Sequence, residues 1–171
     1  MAGTDTFIFR AALHGRASTY RDIEIDPAKS LYLLAEAIVS SFDFNFDHAF
    51  GFYAGLTPAK IHKEFPKYEL FADMGDADPQ VLGVKKTRIS QAFPEVGHTL
   101  LFLFDYGDEW HFRVALRSIG RKSAKTRYPR VITTRGGAPA QYPDGDDDDD
   151  PDDRASFGIN PLTGEKIRFG K

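Results

Sequence analysis

The stretch TLLFLFDYGDEWHFRVALRSI, Thr99 to Ile119, constrains the fold more than any other part of the chain. Thr99 to Phe104 is an unbroken apolar run of strand length. DYGD, Asp105 to Asp108, has turn chemistry: glycine supplies φ > 0 without a steric penalty, and flanking aspartates accept backbone N–H groups. Gly107 is read as the left-handed position. From Glu109 the sequence alternates, with Trp110, Phe112, Val114 and Leu116 facing one way and Glu109, His111, Arg113 and Arg117 the other. Strand, turn and alternating strand predict an antiparallel hairpin, so the chain must build a sheet.

Further elements join it. TFIFRAAL (Thr6 to Leu13) and TYRDIEI (Thr19 to Ile25) read as an opening hairpin turned by HGRAS, the second strand setting Tyr20, Asp22 and Glu24 against Arg21, Ile23 and Ile25. Asp26 as cap and Pro27 as first residue predict a helix over 27–42, with Leu31, Leu34, Ala35, Ile38 and Phe42 on its buried face. Phe44 to Tyr53 returns to period two and predicts a strand with Phe44, Phe46, His48, Phe50 and Phe52 on one face. Thr57 and Pro58 open a short helix, Thr87 caps another helical turn before Pro94, and RVITT after Pro129 is a short strand. The fold class is α+β, with one domain over residues 1–143. Residues 144–171 form an acidic flexible tail and extension, because from Pro139 onward there is too little apolar surface to offset the entropy of ordering it.

Composition narrows the chemistry. With 42% hydrophobic residues and 15 phenylalanines, 171 residues suffice for a core. The chain has no cysteine, which excludes disulfide scaffolding, thiolate catalysis and Cys-ligated metal centres. No apolar run approaches membrane-spanning length, and MAGTDTFIFR lacks the pattern of an export signal, so a soluble cytoplasmic protein without a membrane role is expected. The formal net charge of -3 conceals opposite blocks. DGDDDDDPDD, Asp144 to Asp153, carries eight acids, and without them the remainder stands at +5. Just upstream, Arg117 to Arg135 holds seven Lys or Arg and no acid.

Asp105, Asp108, His111 and His48 are the candidate catalytic residues, since FDYGDEWHF concentrates acids, a histidine and the sole tryptophan in one short span. Each also has a plainer reading: the aspartates turn the hairpin, Trp110 sits in the core, His111 lies on a solvated strand face, and His48 is a neutral core histidine among phenylalanines. No HxH or HExxH spacing supports a metal, no phosphate loop or nucleophile elbow is present, and neither cofactor nor resident metal is expected. His14, His62 and His98 suggest nothing specific.

The segments YRDIEIDPAKSLYLLAEAI, FDHAFGFY, FLFDYGDEWHFRVAL and YPRVITTRGGAPAQYP together resemble the Ri-plasmid open-reading-frame-three-like family, over about residues 5–143. The most specific part is D-Y-G-D-x-W-H, here Asp105, Tyr106, Gly107, Asp108, Trp110 and His111, and the family's Asp-His pair is matched by Asp47 and His48. Members are found on plasmids and insertion elements, sometimes as transposon passenger proteins. The resemblance implies an α+β fold with a curved, mainly antiparallel sheet and helices on one side, and no reaction. Where many members close with Pro-Pro-Glu-Asp-x-Gly-Gly, this chain has Pro139, Ala140, Gln141, Tyr142 and Pro143, so the acidic pair is replaced. The expectation is therefore a non-enzymatic interaction domain contacting nucleic acid or a nucleic-acid-bound partner through Arg113, Arg117, Arg121, Lys122, Lys125, Arg127 and Arg130. The alternative is a metal-dependent hydrolase or nuclease using His48, Asp105, Asp108 and His111. No oligomeric state is indicated.

Overall fold

A computed structural model describes residues 5–75 and 78–141. Strands β1 (Asp5–Leu13) and β2 (Arg16–Ile25) form the opening hairpin, and helix α1 (Leu31–Ser41) follows. Next come β3 (Phe50–Tyr53), β4 (Lys67–Glu69), α2 (Leu70–Asp73), β5 (Leu82–Gly83) and α3 (Ile89–Ala92). The central hairpin is β6 (Thr99–Phe104) with β7 (Trp110–Arg121), and β8 (Arg130–Arg135) closes the described domain. All eight strands join one open sheet in the order β5-β4-β3-β6-β7-β1-β2-β8. Every pairing is antiparallel except β4 with β5, so the sheet is mixed. Met1–Ala138 forms one unit and Pro139–Lys171 a second, of which only Pro139, Ala140 and Gln141 are described. The tail and extension read over 144–171 lie outside the described residues.

Alternation along β6 and β7 assigns the two faces. Phe102 pairs with Phe112 and Phe104 with Trp110, and these side chains pack with α1 and α3 in one large core. Phe50 and Phe52 join them from β3, Phe52 meeting Phe102 at 4.7 Å between ring centroids. Each fully buried phenylalanine contributes about 1.5–3 kcal/mol, so the helix-side layer supplies much of the hydrophobic stabilisation. On the opposite face Leu101 and Leu103 pack with Tyr53 and Ile61 in a smaller cluster. The apolar run of β6 is thus explained: both of its faces are covered.

Several boundaries differ from expectation. The helix begins at Leu31 rather than Pro27, with Ser30 as its cap accepting from Leu33 N. Pro27 and Lys29 instead give their carbonyls to Ser90 N and Ile89 N, which ties the turn to α3. Asp26 caps only that turn, through Ala28 N. Residues 44–49 are not strand, although Phe44 and Phe46 still reach the core. The segment after Thr57 forms turns rather than a helix. Thr87 does not cap α3, because its hydroxyl donates to the Gly83 carbonyl; Gln91 Oε1 accepts from Arg88 N there.

Candidate functional site

The β6–β7 corner is built by Asp105, not by Gly107. Asp105 has φ +70° and Glu109 φ +56°, whereas Gly107 lies outside the left-handed region. An aspartate tolerates that conformation when its side chain bonds locally. Asp105 Oδ1 accepts from Gly107 N at 3.0 Å and Asp108 N at 3.2 Å, and its backbone carbonyl accepts from Glu109 N. Asp105 N donates to the Ala49 carbonyl, fastening the corner to the approach of β3. The remaining oxygen, Oδ2, stands 3.4 Å from His48 Nε2, and Asp47 Oδ1 lies 3.5 Å from the same nitrogen. Asp105 is buried while His48 is 38% exposed, so one face of the imidazole meets solvent and its edge meets two carboxylates. The expectation of His48 as a core residue fails because the strand that would have turned it inward starts only at Phe50.

His111 occupies the other side of the sheet. It is 9% exposed, not solvated, because the face opposite α1 is itself covered near Leu103, its partner in β6. Its ring lies 6.0 Å from that of His14, and its carbonyl accepts from His14 N. Burial lowers the His111 pKa; the Glu109 carboxylate opposes that shift and His14 reinforces it. His14 Nδ1 is buried without a hydrogen-bond partner among the described residues. His48 edges Phe104 on the helix side, so the two histidines do not converge. Asp108 sits exposed at the turn. Of the four candidate catalytic residues only His48 and Asp105 meet. No group of three or more metal-ligating side chains is assembled among the described residues.

The basic candidates divide in a different way. Lys122 pairs with Asp26 at 2.7 Å and Arg130 with Glu24 at 2.7 Å, which pins both ends of the β7–β8 loop to the end of β2. Arg113, Arg117, Arg121, Lys125 and Arg127 are exposed and carry no ion pair among the described residues. Within the loop, Ser123 N donates to the Tyr128 hydroxyl at 3.0 Å, so the cationic residues stand on an organised turn. Arg113 is separated from this group along β7. A register shift in the β1–β7 pairing, between Ile8 and Phe9, interrupts the alternation that placed Arg113 and Arg117 on one face.

Three polar assemblies were not anticipated. Arg21 is buried, donates to the carbonyls of Ser41, Tyr20, Arg135 and Gly136, and stacks 4.3 Å over Phe42. It joins the end of α1 to the end of β8. Thr6 donates to buried Glu24, which also receives Arg130. Tyr53 donates to Glu69 at 2.6 Å and shares a 2.7 Å contact with the Tyr106 hydroxyl; burial raises both phenols above their ordinary range. Only Arg21 had a signal in the sequence, since alternation in β2 placed it beside Ile23 and Ile25.

Comparison with known proteins assigns the corner a lineage. The model of the family described as plasmid pRiA4b ORF-3-like protein matches residues 6–145. The chain belongs to this family. The family resemblance read from the sequence is therefore correct, and the matched range includes the corner and its flanking strands. A crystal structure of a protein of unknown function, MM3350 from Methanosarcina mazei Go1, is similar at a TM-score of 0.65 and 18% identity. The match covers 81% of this chain and 73% of that one, and at such identity it shows the fold alone. No curated protein matches the chain. No helix among the described residues is long and apolar enough to cross a membrane.

Proposed function

We propose that this member of the plasmid pRiA4b ORF-3-like family is a non-enzymatic interaction domain that docks nucleic acid on its β7–β8 loop. One observation supports the reading most directly: the loop is anchored at both ends by ion pairs, while Arg121, Lys125 and Arg127 are exposed and have no ion-pair partner among the described residues. Exposed cations held on an organised turn suit phosphate contacts, which position a polyanion without reading its sequence, although Arg121 stands across the β1–β7 pairing from Asp5. Arg117 stands at the register shift along β7, while Arg113 lies apart from the loop cations. The dispersal of His48 and His111 to opposite faces gives the hydrolase alternative no comparable support.

The test is titration of fluorescent single- and double-stranded oligonucleotides at several salt concentrations. Replacing Arg121, Lys125 and Arg127 together with glutamine should weaken binding and flatten the log-log salt slope by roughly 0.7–0.9 for each phosphate no longer neutralised. Deleting Asp144 to Asp153 should strengthen binding by removing a tethered polyanionic competitor. No binding at low salt by either the whole chain or the deletion variant would refute the reading.

A further inference from the structure

The edge of the sheet farthest from β8 carries a hollow that the polyanion surface leaves unused. It lies between β4, β5 and α3, has a volume of about 330 Å³, and is lined by Tyr68, Leu82, Gly83, Lys86, Thr87 and Gln91. That size is at the lower end of small-molecule sites. Tyr68 is the residue that gives the hollow chemical meaning. Its ring belongs to the helix-side core and the residue is only 6% exposed. A phenol buried to that extent ordinarily finds a hydrogen-bond partner. The Tyr68 hydroxyl has none among the described residues, and it is not sealed in, since His14 Nδ1 is the one fully buried side-chain atom there without a partner. Its open side is the hollow. Burial raises the Tyr68 pKa, so the group stays a neutral phenol with a proton to donate.

The other polar groups of the lining decide what the occupant is. Lys86 is exposed and has no ion pair among the described residues. Gln91 has given its Oε1 to Arg88 N, which leaves its amide nitrogen as a donor, and the Thr87 hydroxyl hydrogen is committed to the Gly83 carbonyl. No acid is among the lining residues. Asp73, which lies against Gly83, has its carboxylate taken up by Val84 N and Lys85 N. Donors therefore outnumber acceptors around a single positive charge. A carboxylate matches that set, whereas a phosphate dianion would bring a second charge with no cation to meet it. Leu82, 49% exposed, supplies an apolar wall. We propose that this hollow binds a small monocarboxylate. Its oxygens accept from the Tyr68 hydroxyl, the Lys86 ammonium and the Gln91 amide, and a compact apolar body rests against Leu82.

The probes are benzoate and 3-methylbutanoate, one planar and one branched, and the controls are benzamide and phenyl phosphate. By NMR titration of the whole chain, at least one carboxylate should bind saturably and shift the amides of Leu82 to Thr87 together with Gln91. Benzamide, uncharged, and phenyl phosphate, doubly charged, should each bind roughly tenfold more weakly than that carboxylate. Tyr68→Phe keeps the ring in the core and removes only the hydroxyl, and should weaken the carboxylate roughly fivefold. Lys86→Gln, on the surface, should weaken it by a similar factor, and it decides the matter should Tyr68→Phe lose its folded spectrum. Failure of both carboxylates to saturate by about 10 mM, equal binding of either control, parent-like binding by either folded variant, or shifts confined to the β7–β8 loop would each overturn the proposal.

Discussion

Asp105 separates a structural corner from a catalytic one, and three substitutions there should give a graded series. Asp105→Ala removes the acceptor of Gly107 N and Asp108 N and leaves the existing β-carbon at φ +70° without the local hydrogen bonds that offset that conformation. Both amides belong to exposed residues, so water replaces part of what they lose, and the two bonds together account for about 1–2 kcal/mol. The left-handed conformation adds about 1 kcal/mol for alanine, giving a total near 2–3 kcal/mol. Asp105→Gly loses the same bonds and relieves the backbone, so it should be milder by about 1 kcal/mol. Asp105→Asn keeps an acceptor and tolerates the conformation, and should lose less than about 1 kcal/mol. For a domain of this size 1 kcal/mol shifts Tm by roughly 3–4 °C. Differential scanning calorimetry should rank the variants asparagine, glycine, alanine in order of increasing loss. A silent alanine variant, or glycine no better than alanine, would refute the account of the corner. If Asp105 served chemistry at the expense of stability, Asp105→Asn would raise Tm.

Gly51→Ala should destabilise by about 2–3 kcal/mol through overpacking, because a β-carbon there would lie 2.8 Å from both the Tyr53 hydroxyl and the Tyr68 carbonyl and 3.0 Å from the Tyr106 hydroxyl. Adding Tyr106→Phe should recover part of that loss in urea melts. Arg21→Lys should cost about 2 kcal/mol in the same assay, since an ammonium cannot reproduce a planar fork reaching carbonyls at the ends of α1 and β8; hydrogen exchange should quicken at Arg135 and Gly136. Burial lowers the His111 pKa below the ordinary imidazole value, so the unfolded state takes up the proton first as pH falls. Its contribution is therefore complete above about pH 6.5 and is lost as pH falls through the folded-state value. Tm should decline between pH 7 and pH 5 more steeply for the native chain than for His111→Gln, and parallel profiles would show that His111 is not the group responsible.

How much was legible depended on whether an element is specified by its own residues or by its neighbours. β6, β7 and β8 were readable because their turn signals and periods are local, and α1 was recognisable from Leu31, Leu34, Ala35 and Ile38. Its start was misplaced because Asp26–Pro27 carries a helix-initiating pattern that the α3 segment overrides by capturing the Pro27 and Lys29 carbonyls. The strand expected over Phe44 to Tyr53 was too long for a related reason: phenylalanines at alternate positions serve a packed loop as well as a strand, and only pairing with β4 and β6 defines β3. His111 had the correct parity and the wrong environment. Alternation shows which face a side chain takes, and only the tertiary fold shows that Leu103, Tyr53 and Ile61 cover that face nearby.

The same reasoning resolves why Phe104 to Phe112 looks like a catalytic centre. A site needs side chains that converge in space, whereas a hairpin corner sends consecutive side chains to opposite faces of a sheet. Asp105 turns inward and accepts the corner's amides, Asp108 faces water, and Glu109 closes the turn at positive φ. Trp110 then packs edge-on to Phe44 at 4.9 Å on the helix side, while His111 drops to the far face beside His14. The density of chemistry-bearing residues along the chain therefore becomes dispersion in the fold. The one pairing that survives, His48 with Asp105, crosses from another segment and was drawn in by the corner's own geometry. Conversely, the bases that sequence grouped together are sorted by their acidic partners: Lys122 and Arg130 hold the loop to β2, while Arg113, Arg117, Arg121, Lys125 and Arg127 carry no ion pair among the described residues.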